Sequence, residues 1–151
     1  MKTSEETNPK GANFFPWLIE RIMDAVEETG KNRTGHAVAM YMNKRYGSHL
    51  MSQTVLDYHR EKVVPRGSQA IELIEAAGLH PLLYLPFAEF ERVFADKRSS
   101  ARLKHFWAYI CCDWSASNDL ETPWIVDMGY LGLSEAKGVT EKAVSEMNRA
   151  A

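Results

Sequence analysis

The chain has 151 residues, 45% of them hydrophobic and 11% aromatic, and a formal net charge of −2. That length suits one domain, or a small domain with an appendage, and the aromatic content excludes global disorder. The adjacent pair Cys111–Cys112 excludes an ordinary strain-free disulfide framework, and no run approaches the ~18 apolar residues of a membrane span, so a reducing cytoplasm without membrane contact is expected.

Residues 1–13 are polar, begin MKTSEETNPK without the apolar stretch of a signal peptide, and read as a flexible arm. Pro16 suits a first helical turn, and Leu18, Ile19, Ile22, Met23 and Val26 follow at helical spacing, which predicts a helix over 16–29 ended by Thr29-Gly30. Phe14, Phe15 and Trp17 read as core. Thr34 can cap a second helix with Ala37, Val38, Tyr41 and Met42 inward and Gly47 at its end.

Ser52 is placed to cap the next helix, where Val55, Leu56 and His59 fit one face. Pro65 and Gly67 break that pattern. Ser68 can cap a following helix with Ile71, Ile74 and Ala77 buried, closed by Gly78 and a Schellman contact from Leu79. Charge concentrates here. Lys31, Arg33, Lys44, Arg45, Arg60, Lys62 and Arg66 stand against Asp57 and Glu61, which makes +5 for residues 31–66 and −7 for the remainder. A positive block of this kind is what phosphate contact needs, and a solvated basic face is the alternative.

The stretch SQTVLDYHREKVVPRGSQAIELIEAAG resembles the second half of a lambda-repressor/Cro-like helix-turn-helix domain. In that family an S-Q segment opens the recognition helix, an apolar residue and then a large ring follow at fixed offsets, and a basic turn with Pro leads to a helix ending in A-x-x-G or A-x-G. Leu56 and His59 stand at those offsets, and EAAG ends the next helix. Upstream, Thr34, Val38 and Ala39 fit the family's T-Q-x-x-L-A, while Gly35 replaces its Gln, so the phosphate contact of that Gln is not carried over. Thr34 and Ser52 also stand further apart than in the family, by about two helical turns.

The resemblance, over about residues 34–78, implies DNA binding. The hydroxyl of Ser52 and the helix N-terminus would meet a phosphate. Gln53 would pair with adenine, and the methyl of Thr54 would meet a thymine methyl. Asp57 and Tyr58 would face the groove or its wall, and Arg60, Lys62 and Arg66 would clamp the backbone. Lys44 and Arg45 complete the expected DNA-binding set.

Beyond Gly78, LHPLLYLP reads as a packed connector or a single helical turn. Phe87, Phe90 and Phe94 mark a helix of about 86–96 and read as a core seam. Ser99 or Ser100 can cap another helix with Leu103, Phe106, Trp107 and Ile110 inward. Lys97, Arg98, Arg102 and Lys104 cluster at its start. WIVDM is the only short strand candidate, the apolar 124–133 segment suits core cover or association, and Thr140 can cap a final polar helix.

The histidines at 36, 49, 59, 80 and 105 are scattered and the cysteines lack chelating spacing, so no metal is expected. There is no G-x-S-x-G elbow and no Gly-rich phosphate loop, and Glu91, Asp96 and Lys97 read as a surface helix. The expectation is therefore a non-enzymatic, all-α protein without cofactor. A helix-turn-helix DNA-binding domain would occupy 14–85, and helices over 86–151 would serve packing and self-association. The expected partners are double-stranded DNA and a second copy of the chain, as in a small transcriptional regulator of phage or mobile-element type. The alternatives are a protein–protein adaptor or inhibitor on a similar scaffold, and a DNA-recruiting subunit of a packaging or transposition complex.

Overall fold

The structure is a computed structural model that describes residues 13–124, and every regular element among them is a helix. α1 spans Phe14–Glu28, α2 Gly35–Tyr46, α3 Ser52–His59, α4 Gly67–Ala76, α5 Pro81–Ala95 and α6 Ala101–Ser117. The all-α expectation holds for this span. The chain divides into two compact units, Asn13–Ala88 and one holding the described residues from Glu89 onward. The arm before Asn13, the strand candidate and apolar segment after Trp124, and the helix expected from Thr140 lie outside the described residues.

α1 begins two residues before the expected position, at Phe14, because Asn13 adopts the left-handed conformation at φ 56 and turns the chain into the helix there. Pro16 then falls in the first turn, where its missing N–H would have had no helical partner. Phe14, Phe15, Leu18, Ile19, Ile22 and Val26 are all but fully buried. Burying each contributes ~1.5–3 kcal/mol to the first unit. Phe14 stacks on Tyr84 at 6.3 Å and tilts against Phe87 at 5.8 Å, so the start of α5 packs on the start of α1.

Local signals set most helix ends. The Oγ1 of Thr34 accepts the N–H of Ala37 at 3.0 Å, and Gly47 closes α2 at φ 67. α4 ends in a Schellman motif: Gly78 stands at φ 83 and Leu79 N donates to Ile74 O at 3.1 Å. From α1, Arg21 Nε donates to the carbonyl of Ala77 at 2.8 Å and places a cation at that helix end.

The inward face of α4 differs from the expected one. Ala70, Leu73, Ile74, Ala76 and Ala77 are buried, whereas Ile71 is 37% exposed. Ser68 is already helical and caps nothing; the N-cap position belongs to Arg66. α5 runs over 81–95, longer than the expected 86–96, with Pro86 inside it. An interior proline costs about 3 kcal/mol. Burial of Tyr84, Phe87, Phe90 and Val93 along the same helix offsets this, at ~1.5–3 kcal/mol per side chain.

In the second unit, the Oγ of Ser100 accepts the N–H of Leu103 at 3.1 Å and caps α6. The buried side of α6 is Ala108, Cys111 and Ser115. Leu103 and Phe106, expected inward, are 40% and 37% exposed, and Trp107 and Ile110 are half-buried. α6 carries two apolar stripes, and the one with smaller side chains is the one that packs.

Candidate nucleic-acid interface

α2 and α3 pack against each other in the first unit, and α1 packs on both. Residues 47–51 link them. The side chain of Asn43 holds this link from both sides: its Nδ2 donates to Leu50 O at 2.9 Å, and its Oδ1 accepts from Leu50 N at 2.7 Å. The link therefore runs back along α2, and α3 starts beside the first turn of α2. A Cβ built on Gly35 would lie 3.1 Å from Cγ and Cδ2 of Leu56 and 3.3 Å from Ser52 O. Glycine at this position is what lets the two helices approach.

Val55, fully buried, and Tyr58, 7% exposed, anchor α3 to the core. At about 100° per residue, Gln53, Asp57 and Arg60 fall on the opposite side. Gln53 and Arg60 are exposed and Asp57 is half-exposed. Gln53 Nε2 donates to Asp57 Oδ1 at 2.9 Å, which joins two members of the stripe one turn apart. Thr54 is half-buried on one flank. The other flank carries Ser52, Leu56 and His59, and it is tied down. His36 Nδ1 lies 3.4 Å from Ser52 Oγ, and His59 Nε2 lies 2.7 Å from Glu20 Oε2 on α1.

α3 also ends in a Schellman motif. Lys62 N donates to Asp57 O at 2.9 Å, with Glu61 in the left-handed conformation at φ 60. The turn then presents Arg60, Lys62 and Arg66, all exposed, and Arg66 leads directly into α4.

Several expected site residues are placed differently. Ser52 is the first residue of α3 and not its cap; Met51 holds the N-cap position and makes no side-chain bond there. The hydroxyl of Ser52 faces His36 instead. Tyr58 is turned into the core, and burial raises its phenol pKa, so it is not available to a groove. Lys44 and Arg45 sit in the last turn of α2, about 13 Å along its axis from the end that meets Ser52. There they complement the helix dipole. Arg45 is further engaged by Tyr41, whose hydroxyl accepts from Nη1 at 2.9 Å and raises the guanidinium pKa, and by the Tyr46 ring at 5.2 Å. Arg33 is drawn to Glu20, Asp24 and Glu27 of α1, and its bond to the Asp24 carboxylate is the main reason its pKa is raised. Gln53, Thr54, Asp57, Arg60, Lys62 and Arg66 are the expected residues that α3 and its following turn bring together.

Sequence reading missed Asn43, Glu20 and His36, which position α3 without touching its outer face. Long-range contacts of this kind leave no periodic or motif signal. In the sequence, Gly35 stands out only as a departure from a family pattern.

Among the described residues, no group of three or more His, Cys, Asp or Glu side chains could hold a metal ion. No helix there is long and apolar enough to cross a membrane. An open depression of about 250 Å³ between α1 and α4 is lined by Arg21, Asp24, Ala25, Glu28 and Ala77, and the Arg21 guanidinium there is already bonded to Ala77. Comparison with protein-family models, curated proteins and solved structures found no match to this chain.

Proposed function

We propose that the protein is a non-enzymatic, sequence-specific DNA-binding protein of lambda-repressor-like helix-turn-helix type, acting as a small transcriptional regulator. The observation that carries the reading is the outer stripe of α3. Gln53, Asp57 and Arg60 line the side opposite the buried Val55 and Tyr58, and exposed Lys62 and Arg66 follow. A short helix held by its inner face, with polar groups outside and cations at its end, meets the steric and electrostatic needs of a major-groove reader.

The chemistry of the stripe narrows what it reads. The Asp57 carboxylate repels phosphate, so this part of the stripe sits over base edges, where a carboxylate accepts from the cytosine N4 amine. Gln53, one turn earlier, suits adenine. Arg60, Lys62 and Arg66 take the phosphates. One such helix reads only a few base pairs, so a paired protein on a two-fold site is expected.

Fluorescence anisotropy of labelled duplex against salt tests this. Affinity should fall steeply as salt rises. A motif should emerge from selection on random duplexes. Gln53→Ala should lose about 1–3 kcal/mol on the selected site and little on unrelated DNA, whereas Lys62→Ala or Arg66→Ala should weaken all duplexes alike. No enrichment and no salt-dependent affinity would reject the reading. The second reading is a protein–protein adaptor. Asp57 favours it, because a carboxylate in the middle of the stripe also suits a basic partner surface, and the same titration separates the two.

A further inference from the structure

We propose that α6 is a self-association helix, pairing antiparallel with α6 of a second copy of this chain across a two-fold axis. The helix has an apolar stripe left over after its core contacts are made. Ala108, Cys111 and Ser115 face inward, while Leu103 and Phe106 remain 40% and 37% exposed and Trp107 and Ile110 continue the stripe half-buried. At about 100° per residue, this second stripe stands roughly 120° round from the first. The two cannot be covered by the same neighbour.

Charge selects the occupant and its direction. Basic residues cluster at the start of α6, with Lys97, Arg98, Arg102 and Lys104. Acidic residues, Asp113, Asp119 and Glu121, cluster at its end. Parallel copies would set like charges together. Antiparallel copies set each basic end against an acidic one. Two of these four cations are already engaged: Arg98 bonds Asp96, and Lys104 Nζ lies 5.1 Å from the Phe94 ring centroid.

Arg102 and Asp113 are exposed and form no ion pair among the described residues. They stand about three turns apart on the same flank of the apolar stripe. In an antiparallel pair the same flanks meet, so with the axis near Trp107 each Arg102 reaches the Asp113 of the other copy. The stripe supplies attraction, and the two symmetry-related ion pairs supply direction and register. A single helix pair of this length buries less than about 1,200 Å², so association is expected to be concentration-dependent.

The inference provides the pairing that the DNA reading calls for, but it rests on α6 alone. Sedimentation equilibrium of the full chain tests it without DNA. The chain should be a dimer that dissociates on dilution. Phe106→Glu should raise the dissociation constant about a hundredfold with an unchanged helical circular dichroism spectrum, since Phe106 is partly exposed. Arg102→Glu and Asp113→Arg should each raise it about tenfold, and the double reversal should restore it, because the swapped charges attract again. A chain monomeric at about millimolar concentration would overturn the proposal and leave the stripe to another occupant. So would a dimer indifferent to these substitutions, or a double reversal no better than either single one. DNA affinity for a single half-site in the Phe106→Glu protein reads out the α3 proposal separately.

Discussion

Gly35→Ala is the sharpest test of how α3 is held. The substitution adds one methyl at the first residue of α2 and, for a helical residue, relieves up to about 1 kcal/mol of glycine's backbone entropy. Against that gain, the new Cβ would lie 3.1 Å from Cγ and Cδ2 of Leu56 and 3.3 Å from Ser52 O. Carbon–carbon contacts are best at about 3.5–4.0 Å. Leu56 is half-buried and can shift, but the Ser52 carbonyl belongs to the first turn of α3 and moves only if the helix moves. Overpacking of this kind costs about 1–3 kcal/mol. The expected net loss is ~1 kcal/mol, and Gly35→Val should lose more, ~3 kcal/mol. Urea denaturation with linear extrapolation measures both, with the slope unchanged if unfolding stays two-state. Leu56→Ala in the same protein removes part of the clash, so Gly35→Ala should cost ~0.5–1 kcal/mol less in that background. A Gly35→Ala protein as stable as the parent, with Gly35→Val no worse, would refute the close-approach argument.

Asn43→Ala removes both bonds that hold Leu50 and should cost about 1–3 kcal/mol by the same denaturation assay; Asn43→Asp should be no better, because its second carboxylate oxygen would face the Leu50 carbonyl to which Nδ2 donates. Thr34→Ala should lose ~1 kcal/mol because its hydroxyl caps α2, whereas Ser52→Ala should lose only a few tenths because its hydroxyl caps nothing; equal losses would contradict the capping assignment. Burial raises the thiol pKa of Cys111, with the neighbouring Cys112 and Glu91 adding to it, and burial pushes Cys112 up to about 11. Both thiols should therefore resist iodoacetamide at neutral pH until the protein unfolds. A raised thiol pKa stabilises fully below the ordinary value of 9.0 and progressively less as pH rises through the folded value, so the urea midpoint should be lower at about pH 10.5 than at pH 7, and an unchanged midpoint would contradict the burial of these groups.

Some helix ends were legible from a few residues at a time, while the expected caps Ser52 and Ser68 and the expected start at Pro86 were not the observed ones. Thr34, Gly47, the Gly78-Leu79 pair and Ser100 act through bonds that close within five residues, so short-range chemistry decides them. Helix faces were a different matter. α6 offers Leu103, Phe106, Trp107 and Ile110 on one side and Ala108, Cys111 and Ser115 on another, and periodicity alone cannot rank two apolar stripes. α4 posed the same problem with Ile71 against Ala70 and Leu73, and α3 with Tyr58. Pro86 marked a helix start by its sequence, yet a helix with enough buried aromatic surface runs through it.

The candidate site divides along the same line. The cations near α3 could be counted in the sequence, but their grouping could not. Arg33 is held by α1, and Lys44 and Arg45 sit at the far end of α2, because the link fastened by Asn43 returns α3 to the first turn of α2. Residues distant along the chain choose which groups share a surface, and that choice is made by packing, which acts only once the helices have met.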